Sequence, residues 1–302
     1  MFRAIASLML FGVLSPVSPL LQKSPNTEIL HVAAPSSAAR LKVAETFTAS
    51  GAIVVDARSG QEVFGLSADL PRSMGSLTKL MTAIVILENH NMNEVVTVPR
   101  SVLEIEGNTI GLRPGERFTI RDLLLSLLIA SANDAAHTLA IEHSDDSELF
   151  AEEMNKRALA LGLQKTHFKN PMGFDSAGQV STPRELAWLS MYALKNDFIR
   201  STASRKGVTI YERTAEREIA LANTNRLLSS HPSSFFGLKT GTTDLAGECL
   251  ISLAYAGGRP YILVVLKSAD RYSDTLQLFD SLSQTTKQLT TRKHRSAPLA
   301  FN

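Results

Sequence analysis

Ser76-Leu77-Thr78-Lys79, running on into Leu80-Met81-Thr82-Ala83-Ile84-Val85, is the stretch on which the fold turns. Nowhere else in the 302 residues does a serine stand three positions before a lysine. The apolar run that follows predicts a helix, with Ser76 at its start. Positions i and i+3 share a helix face, so the Lys79 amine falls within reach of the Ser76 hydroxyl. A serine is a poor nucleophile until a base takes its proton, and a lysine that has lost its own proton is such a base.

Two further motifs lie downstream. Ser131-Ala132-Asn133 sits at the break between a leucine-rich helical segment, Arg121 to Ile129, and a second one, Asp134 to His143. Lys239-Thr240-Gly241 ends a strand-like run that begins at Phe235, and it occurs once. Ser-x-Asn alone carries little, since Ser24-Pro25-Asn26 matches it too. The signal is the order of the three and the placement of each at the end of an element.

The remaining patterns arrange themselves around these. Ala52 to Asp56 and Gln61 to Phe64 flank Ala57-Arg58-Ser59-Gly60, a hairpin with glycine near its turn. Helical spacing recurs over Asp146 to Leu161, and again from Thr182-Pro183-Arg184-Glu185 to Leu194, where proline stands in the first turn. Past residue 208 the character changes. Val208 to Arg213, Glu216 to Leu221, Phe235 to Thr240, Cys249 to Tyr255 and Tyr261 to Lys267 read as strands, and Ser273 to Leu289 as a closing helix. With strands at both ends and helices between, the fold class expected is α/β of the α+β type. It is a single domain in which the N-terminal hairpin joins C-terminal strands in one five-stranded antiparallel sheet, flanked by helices and an all-helical lobe. The boundaries expected are a leader over 1–21, a linker over 22–46, the catalytic domain over 47–290 and a flexible tail over 291–302.

Composition narrows the function classes. With 44% hydrophobic and 20% charged residues the chain can bury a sizeable core, and a net charge of +2 gives no footprint for nucleic acid. Met1-Phe2-Arg3, the apolar run Ala4 to Leu14 and the helix-breaking Ser15-Pro16-Val17-Ser18-Pro19 read as a secretory signal. Export places the protein in the periplasm or extracytoplasmic wall space, with membrane association only if that segment stays uncleaved. Cys249 is the single cysteine, in a strand-like run, and is read as buried and inert. His137 and His143 share a helix but no ligand spacing surrounds them, so neither a metal nor any other cofactor is expected. The chain has no G-x-S-x-G. Asp134 is read as a helix N-cap rather than a catalytic acid, and Arg292-Lys293-His294-Arg295 as a solvated tail.

On the three motifs in order, the chain resembles the low-molecular-mass penicillin-binding proteins, the D-alanyl-D-alanine carboxypeptidases and endopeptidases of the serine β-lactamase-like fold. The resemblance runs from about Ala49 to about Leu289. It includes the blocks Gly111-Leu112-Arg113-Pro114-Gly115-Glu116, Asn170-Pro171-Met172-Gly173-Phe174-Asp175 and Gly237-Leu238-Lys239-Thr240-Gly241-Thr242-Thr243. It implies Ser76 as the acyl-ester nucleophile, Lys79 as general base and Ser131 as proton relay. Asn133 would hold the substrate amide, and Lys239 would supply the nearby positive charge. Lys239, Thr240, Gly241 and Thr242 would bind substrate, and the N–H groups of Ser76 and Thr242 would receive the oxyanion. The partners implied are peptidoglycan stem peptides, with β-lactam antibiotics as covalent inhibitors.

The chain departs from the family in two places. Thr224 stands where some carboxypeptidases carry an arginine for the substrate carboxylate, and Gln179 stands where many relatives have histidine, a position given no catalytic role. The Ser131-to-Ala136 block favours a D-Ala-D-Ala carboxypeptidase. The alternative is an endopeptidase cutting peptide cross-links, which the short stretch after the last expected strand also fits. A β-lactamase needs a deacylating glutamate in an E-x-x-L-N segment, and neither Glu185 nor Glu218 continues that way. A silent peptidoglycan-binding module would have no need of the intact set Ser76, Lys79, Ser131 and Lys239.

Overall fold

The computed structural model describes Leu41 and residues 43–295. The expected leader over 1–21 and nearly all of the linker over 22–46 lie outside these residues. Strands β1 (Gly51–Asp56) and β2 (Glu62–Leu66) form the N-terminal hairpin. Its turn is fixed by Asp56, whose Oδ1 accepts from the backbone N–H of Arg58 (2.9 Å) and Ser59 (3.1 Å).

A 3-10 turn over Gly75–Thr78 leads into α1 (Lys79–Asn89), so Ser76 lies one turn before the helix proper. Every α1 residue from Lys79 to Ile86 is buried. A helix apolar on all sides belongs in the interior, and α1 runs between the sheet and the helical lobe.

The lobe begins with a small ribbon, β3 (Val95–Thr97) paired with β4 (Arg117–Thr119), which the sequence reading did not foresee. Helix α2 (Ile120–Leu125) opens on a capping box between Thr119 and Asp122 and loosens into a π turn over Ser126–Ala130. Then come α3 (Asn133–Ser144) and α4 (Ser147–Ala160), the latter capped by Asp146. Helix α5 (Pro183–Ala193) has Thr182 as its cap and proline in its first turn, as expected, and α6 (Asp197–Ala203) follows.

Strands β5 (Gly207–Tyr211) and β6 (Glu218–Ala222) pair only with each other. After the short α7 (Leu227–Ser230), strands β7 (Phe235–Thr243), β8 (Gly247–Ala256) and β9 (Arg259–Ser268) complete the main sheet. Its order is β2-β1-β9-β8-β7, antiparallel throughout, as the expected five-stranded sheet requires. β7 is therefore an edge strand.

Alternate residues bury both faces of the sheet. Ile53, Val55, Ile251, Leu253, Ile262 and Val264 join the core shared with the lobe. Ala52, Val54, Leu250, Leu263 and Val265 pack against Leu278 and Leu282 of the last helix, α8 (Arg271–Arg295).

Three expectations are corrected. α8 continues to Arg295, so residues 290–295 are helical rather than frayed. Leu41 is buried in the outer core, and Phe47 meets Phe64 edge-on with ring centroids 6.3 Å apart, so the end of the linker belongs to the domain. Asp134 is not an N-cap: Ala132 holds that position, and the Asp134 carboxylate instead accepts from the N–H groups of Ile110 and Leu112 at 3.0 Å each, holding the loop before β4.

Candidate active site

The three motifs meet where the 3-10 turn, the α2–α3 junction and the edge strand β7 come together. Lys79 is fully buried, and its Nζ lies 2.9 Å from Ser76 Oγ, 2.7 Å from Asn133 Oδ1 and 2.6 Å from the Met172 carbonyl. Burial, and after it the charge of Lys239, hold the Lys79 amine well below the ordinary lysine range, against an opposing pull from Asp134.

The geometry around this amine is directional. Asn133 Oδ1 and the Met172 carbonyl can only accept. A neutral amine must spend its two N–H groups on them, which turns its lone pair toward Ser76, the one neighbour able to donate.

Ser131 lies at the break foreseen from sequence. The π turn ends on it, and it takes a left-handed conformation (φ 60°, ψ 31°), uncommon for a residue with a side chain. This directs its Oγ at Lys239 Nζ, 2.7 Å away. Lys239 Nζ also donates to the Thr240 carbonyl at 2.9 Å. Burial, with the Arg271 cation behind it, lowers the Lys239 pKa to about 7. Asn133 Nδ2 donates to the Glu106 carbonyl at 2.9 Å, so its amide is engaged at both ends rather than turned out toward a substrate.

The close approach of β7 to the nucleophile depends on glycine. A Cβ at Gly241 would stand 2.8 Å from the Met74 carbonyl oxygen and 3.0 Å from the Ser76 nitrogen. From the other side, a Cβ at Gly173 (φ +92°) would stand 2.2 Å from the Gly75 carbonyl oxygen. The Gly75–Ser76 peptide is thus clasped between β7 and the loop after α4, beside the N–H of Thr242.

Around Ser76 opens a cleft of about 320 Å³ lined by Asn108, Ser131, Thr224, Arg226, Thr240, Gly241, Thr242, Arg271 and Tyr272. Arg271 was not singled out from sequence. Its guanidinium donates to the Gly241 carbonyl (2.9 Å) and to Thr242 Oγ1, and pairs with Glu248 at 3.1 Å. A lone arginine opening the last helix gave no signal; only the sheet order brings α8 beside β7. Thr224 Oγ1 lies 2.6 Å from Thr240 Oγ1, and Arg226 stacks on Tyr272 with its guanidinium 5.1 Å from the ring centroid.

The other candidates stay outside the site. Cys249 is buried, with its thiol pushed up to about 11 by burial. His137 is buried between Ser101 Oγ (2.8 Å) and Ser147 Oγ (3.2 Å), and burial lowers its pKa. No group of three metal-ligating side chains exists among the described residues. The Glu185 carboxylate is taken up by Lys165 N (2.9 Å) and Thr166 Oγ1 (2.5 Å).

The chain is 34% identical over 254 residues to a D-alanyl-D-alanine carboxypeptidase of Streptomyces sp. (strain K15), a match covering 78% of this chain and 87% of that one. It is 30% identical to a D-alanyl-D-alanine endopeptidase of Pseudomonas aeruginosa, over 80% of this chain and 78% of that one. It is 32% identical to D-alanyl-D-alanine carboxypeptidase DacF of Bacillus subtilis, of whose length the match spans 57%. Among solved structures, that of the Streptomyces K15 DD-transpeptidase superposes with a TM-score of 0.74 at 31% identity, covering 80% of this chain and 98% of that one. A family model described as D-alanyl-D-alanine carboxypeptidase matches residues 37–270, and the chain belongs to that family of serine peptidases.

Proposed function

We propose that the protein is a serine-type D-Ala-D-Ala carboxypeptidase that acts on peptidoglycan stem peptides through an acyl-enzyme on Ser76. The observation that carries this reading is the buried Lys79 amine, 2.9 Å from Ser76 Oγ and bonded to two obligate acceptors, so that in its neutral form the lone pair is left for Ser76.

In this mechanism Ser76 Oγ gives its proton to Lys79 and attacks the carbonyl carbon of the penultimate D-alanine. The oxygen of that carbonyl becomes an oxyanion between the N–H groups of Ser76 and Thr242. When the C–N bond breaks, its electron pair leaves with the nitrogen of the terminal D-alanine. That nitrogen takes a proton through Ser131, which Lys239 holds in place. Water then cleaves the Ser76 ester and frees the shortened peptide. The substrate lies along the open edge of β7 as an added strand. Its terminal carboxylate meets Lys239, Thr240 and Thr242, with Arg271 beside Thr242 as a second cation.

A β-lactam enters by the same attack on its ring carbonyl. Among the described residues no carboxylate lines the cleft to act as a deacylating glutamate, and Glu185 is engaged elsewhere, so the penicilloyl ester is long-lived. Such substrates belong to the extracytoplasmic wall, which fits the exported location expected from residues 1–21. No helix among the described residues is long and apolar enough to cross a membrane.

Digestion of purified muropeptides, with products read by mass, tests the reading. Loss of one D-alanine from pentapeptides is the expected result. Conversion of cross-linked dimers to monomers without that loss would make the protein an endopeptidase.

A further inference from the structure

Gln179 itself does not reach the reacting atoms, yet the loop it holds supplies one of the three contacts on the Lys79 amine. We infer that Gln179 is a positioning residue for the general base: its carboxamide fixes the loop over 169–179 so that the Met172 carbonyl meets Lys79. This inference rests on the acyl-enzyme reading above.

The loop joins α4 to α5 and has no strand or helix of its own between residues 169 and 179. Its ends are closed by a bridge between His167 and Val180 (2.8 and 3.1 Å). Within it, irregular backbone needs side-chain partners for its polar groups. Gln179, only 3% exposed, supplies three of them. Its Oε1 accepts from Lys169 N (2.8 Å) and Asn170 N (3.0 Å), and its Nε2 donates to the Phe174 carbonyl at 2.7 Å. One carboxamide thus ties the start of the loop to its far side. Asn170, held by that grip, accepts from Gly173 N (2.8 Å) and Phe174 N (3.0 Å). The peptide between these two residues is therefore fixed, and the Met172 carbonyl just before it points at Lys79, 2.6 Å away. The neighbouring Pro171 carbonyl accepts from Thr82 Oγ1 at 2.8 Å, anchoring the same loop one turn further along α1.

Loss of this grip has a specific consequence. If the Met172 carbonyl withdraws, the amine gains an uncommitted N–H and its lone pair is no longer fixed on Ser76. Water can then reach Lys79, and rehydration reverses the depression that burial imposes, so a higher pH is needed to keep the amine neutral. A misplacement of roughly 1 Å remote from the chemistry can cost about 10²-fold in rate. A merely structural glutamine would, when replaced, lower the folded fraction and reduce activity by one factor at every pH.

The test is the second-order rate constant for acylation by benzylpenicillin from pH 5 to 10, with the thermal midpoint measured alongside. Gln179→Met keeps the volume and removes all three hydrogen bonds. Gln179→Glu keeps the two acceptor bonds and sets a carboxylate against the Phe174 carbonyl. We expect Gln179→Met to acylate about 10–100-fold more slowly at neutral pH. Its acid limb should move up by about one pH unit, and the deficit should narrow as pH rises. Gln179→Glu should fall between it and the wild type, and it carries the test if the methionine variant does not fold. An unchanged rate and limb, or a loss uniform across pH, would overturn the inference while leaving Ser76 as nucleophile. A folded wild-type protein that takes no label at any pH would overturn the acyl-enzyme reading itself.

Discussion

Three acceptor atoms surround the Lys79 amine, and only the Ser76 hydroxyl among them can also donate. Lys79→Met should therefore fold and lose acylation by about 10²–10⁴-fold, the range of a general base, as read by the rate of penicillin labelling. In the proposed mechanism Lys239 has the opposite task, staying charged to hold Ser131 and meet a carboxylate. With Lys79 neutral and Lys239 charged in the active form, acylation should follow a bell-shaped pH profile. Its alkaline limb belongs to Lys239, whose pKa is lowered to about 7, and bound carboxylate should move that limb upward. The same depression bears on stability. A lysine whose folded pKa lies below its unfolded one leaves the native state with fewer protons in the interval between them. Stability thus rises as pH goes from about 7 toward the ordinary lysine value of 10.5, and the penalty is fully present below about 7. Lys239→Met, inactive, should melt about 3–6 °C higher at pH 6, for roughly 1–2 kcal/mol relieved, and a scanning calorimeter would show it. The motif residues were legible because short sequence patterns mark them: Ser76, Lys79 and Ser131 sit at element ends, whereas Lys239, read at the end of a strand, lies midway along β7. Arg271 was not, since its place beside Thr242 depends on the spatial order of strands far apart in sequence.

The edge strand β7 and the 3-10 turn over Gly75–Thr78 touch through backbone, with glycine at each point of contact. Gly241→Ala should leave the sheet paired, because its neighbours on β8 are unaffected, but must push β7 off the Ser76 peptide. Acylation should fall about 10²-fold with little change in the thermal midpoint, measured as labelling rate against melting temperature. Gly173→Ala should be worse in both respects, because the added Cβ meets a carbonyl oxygen at 2.2 Å in a backbone conformation that favours glycine. Helices α1 and α5 and the main strands were readable from periodicity and capping residues. The β3–β4 ribbon was not: three-residue strands carry too little alternation, and their pairing spans a long loop that Asp134 holds from beneath. The π turn before Ser131 was equally silent in sequence, since Ser126–Ala130 keeps the apolar character of the helix it distorts.

The molecule closes on itself through pairing of β1 with β9, which brings the two ends of the described chain together. Asp274 of α8, 1% exposed, fastens that closure by accepting from Thr48 N (3.0 Å), Thr48 Oγ1 (2.8 Å) and Ser268 Oγ (2.6 Å). Asp274→Ala leaves the buried Ser268 hydroxyl without its acceptor and frees two donors of the exposed Thr48 to water; it should cost about 1–3 kcal/mol, seen as a lower denaturant midpoint. Labelling of the protein that remains folded should be unchanged, since Asp274 does not line the cleft. The antiparallel sheet formed from both ends of the chain was legible from the strand–helix–strand distribution alone. The extension of α8 to Arg295 was not, because the basic run Arg292 to Arg295 lacks the apolar spacing that marks a packed helix. In the proposed mechanism all of this scaffolding serves one bond, the ester on Ser76. The most direct test is mass analysis of the intact and digested protein after incubation with benzylpenicillin at pH 8. The account predicts one penicilloyl group per chain, on the peptide containing Ser76, stable for hours and absent from Ser76→Ala. A folded protein that stays unlabelled, or one labelled equally well in Ser76→Ala, would contradict it.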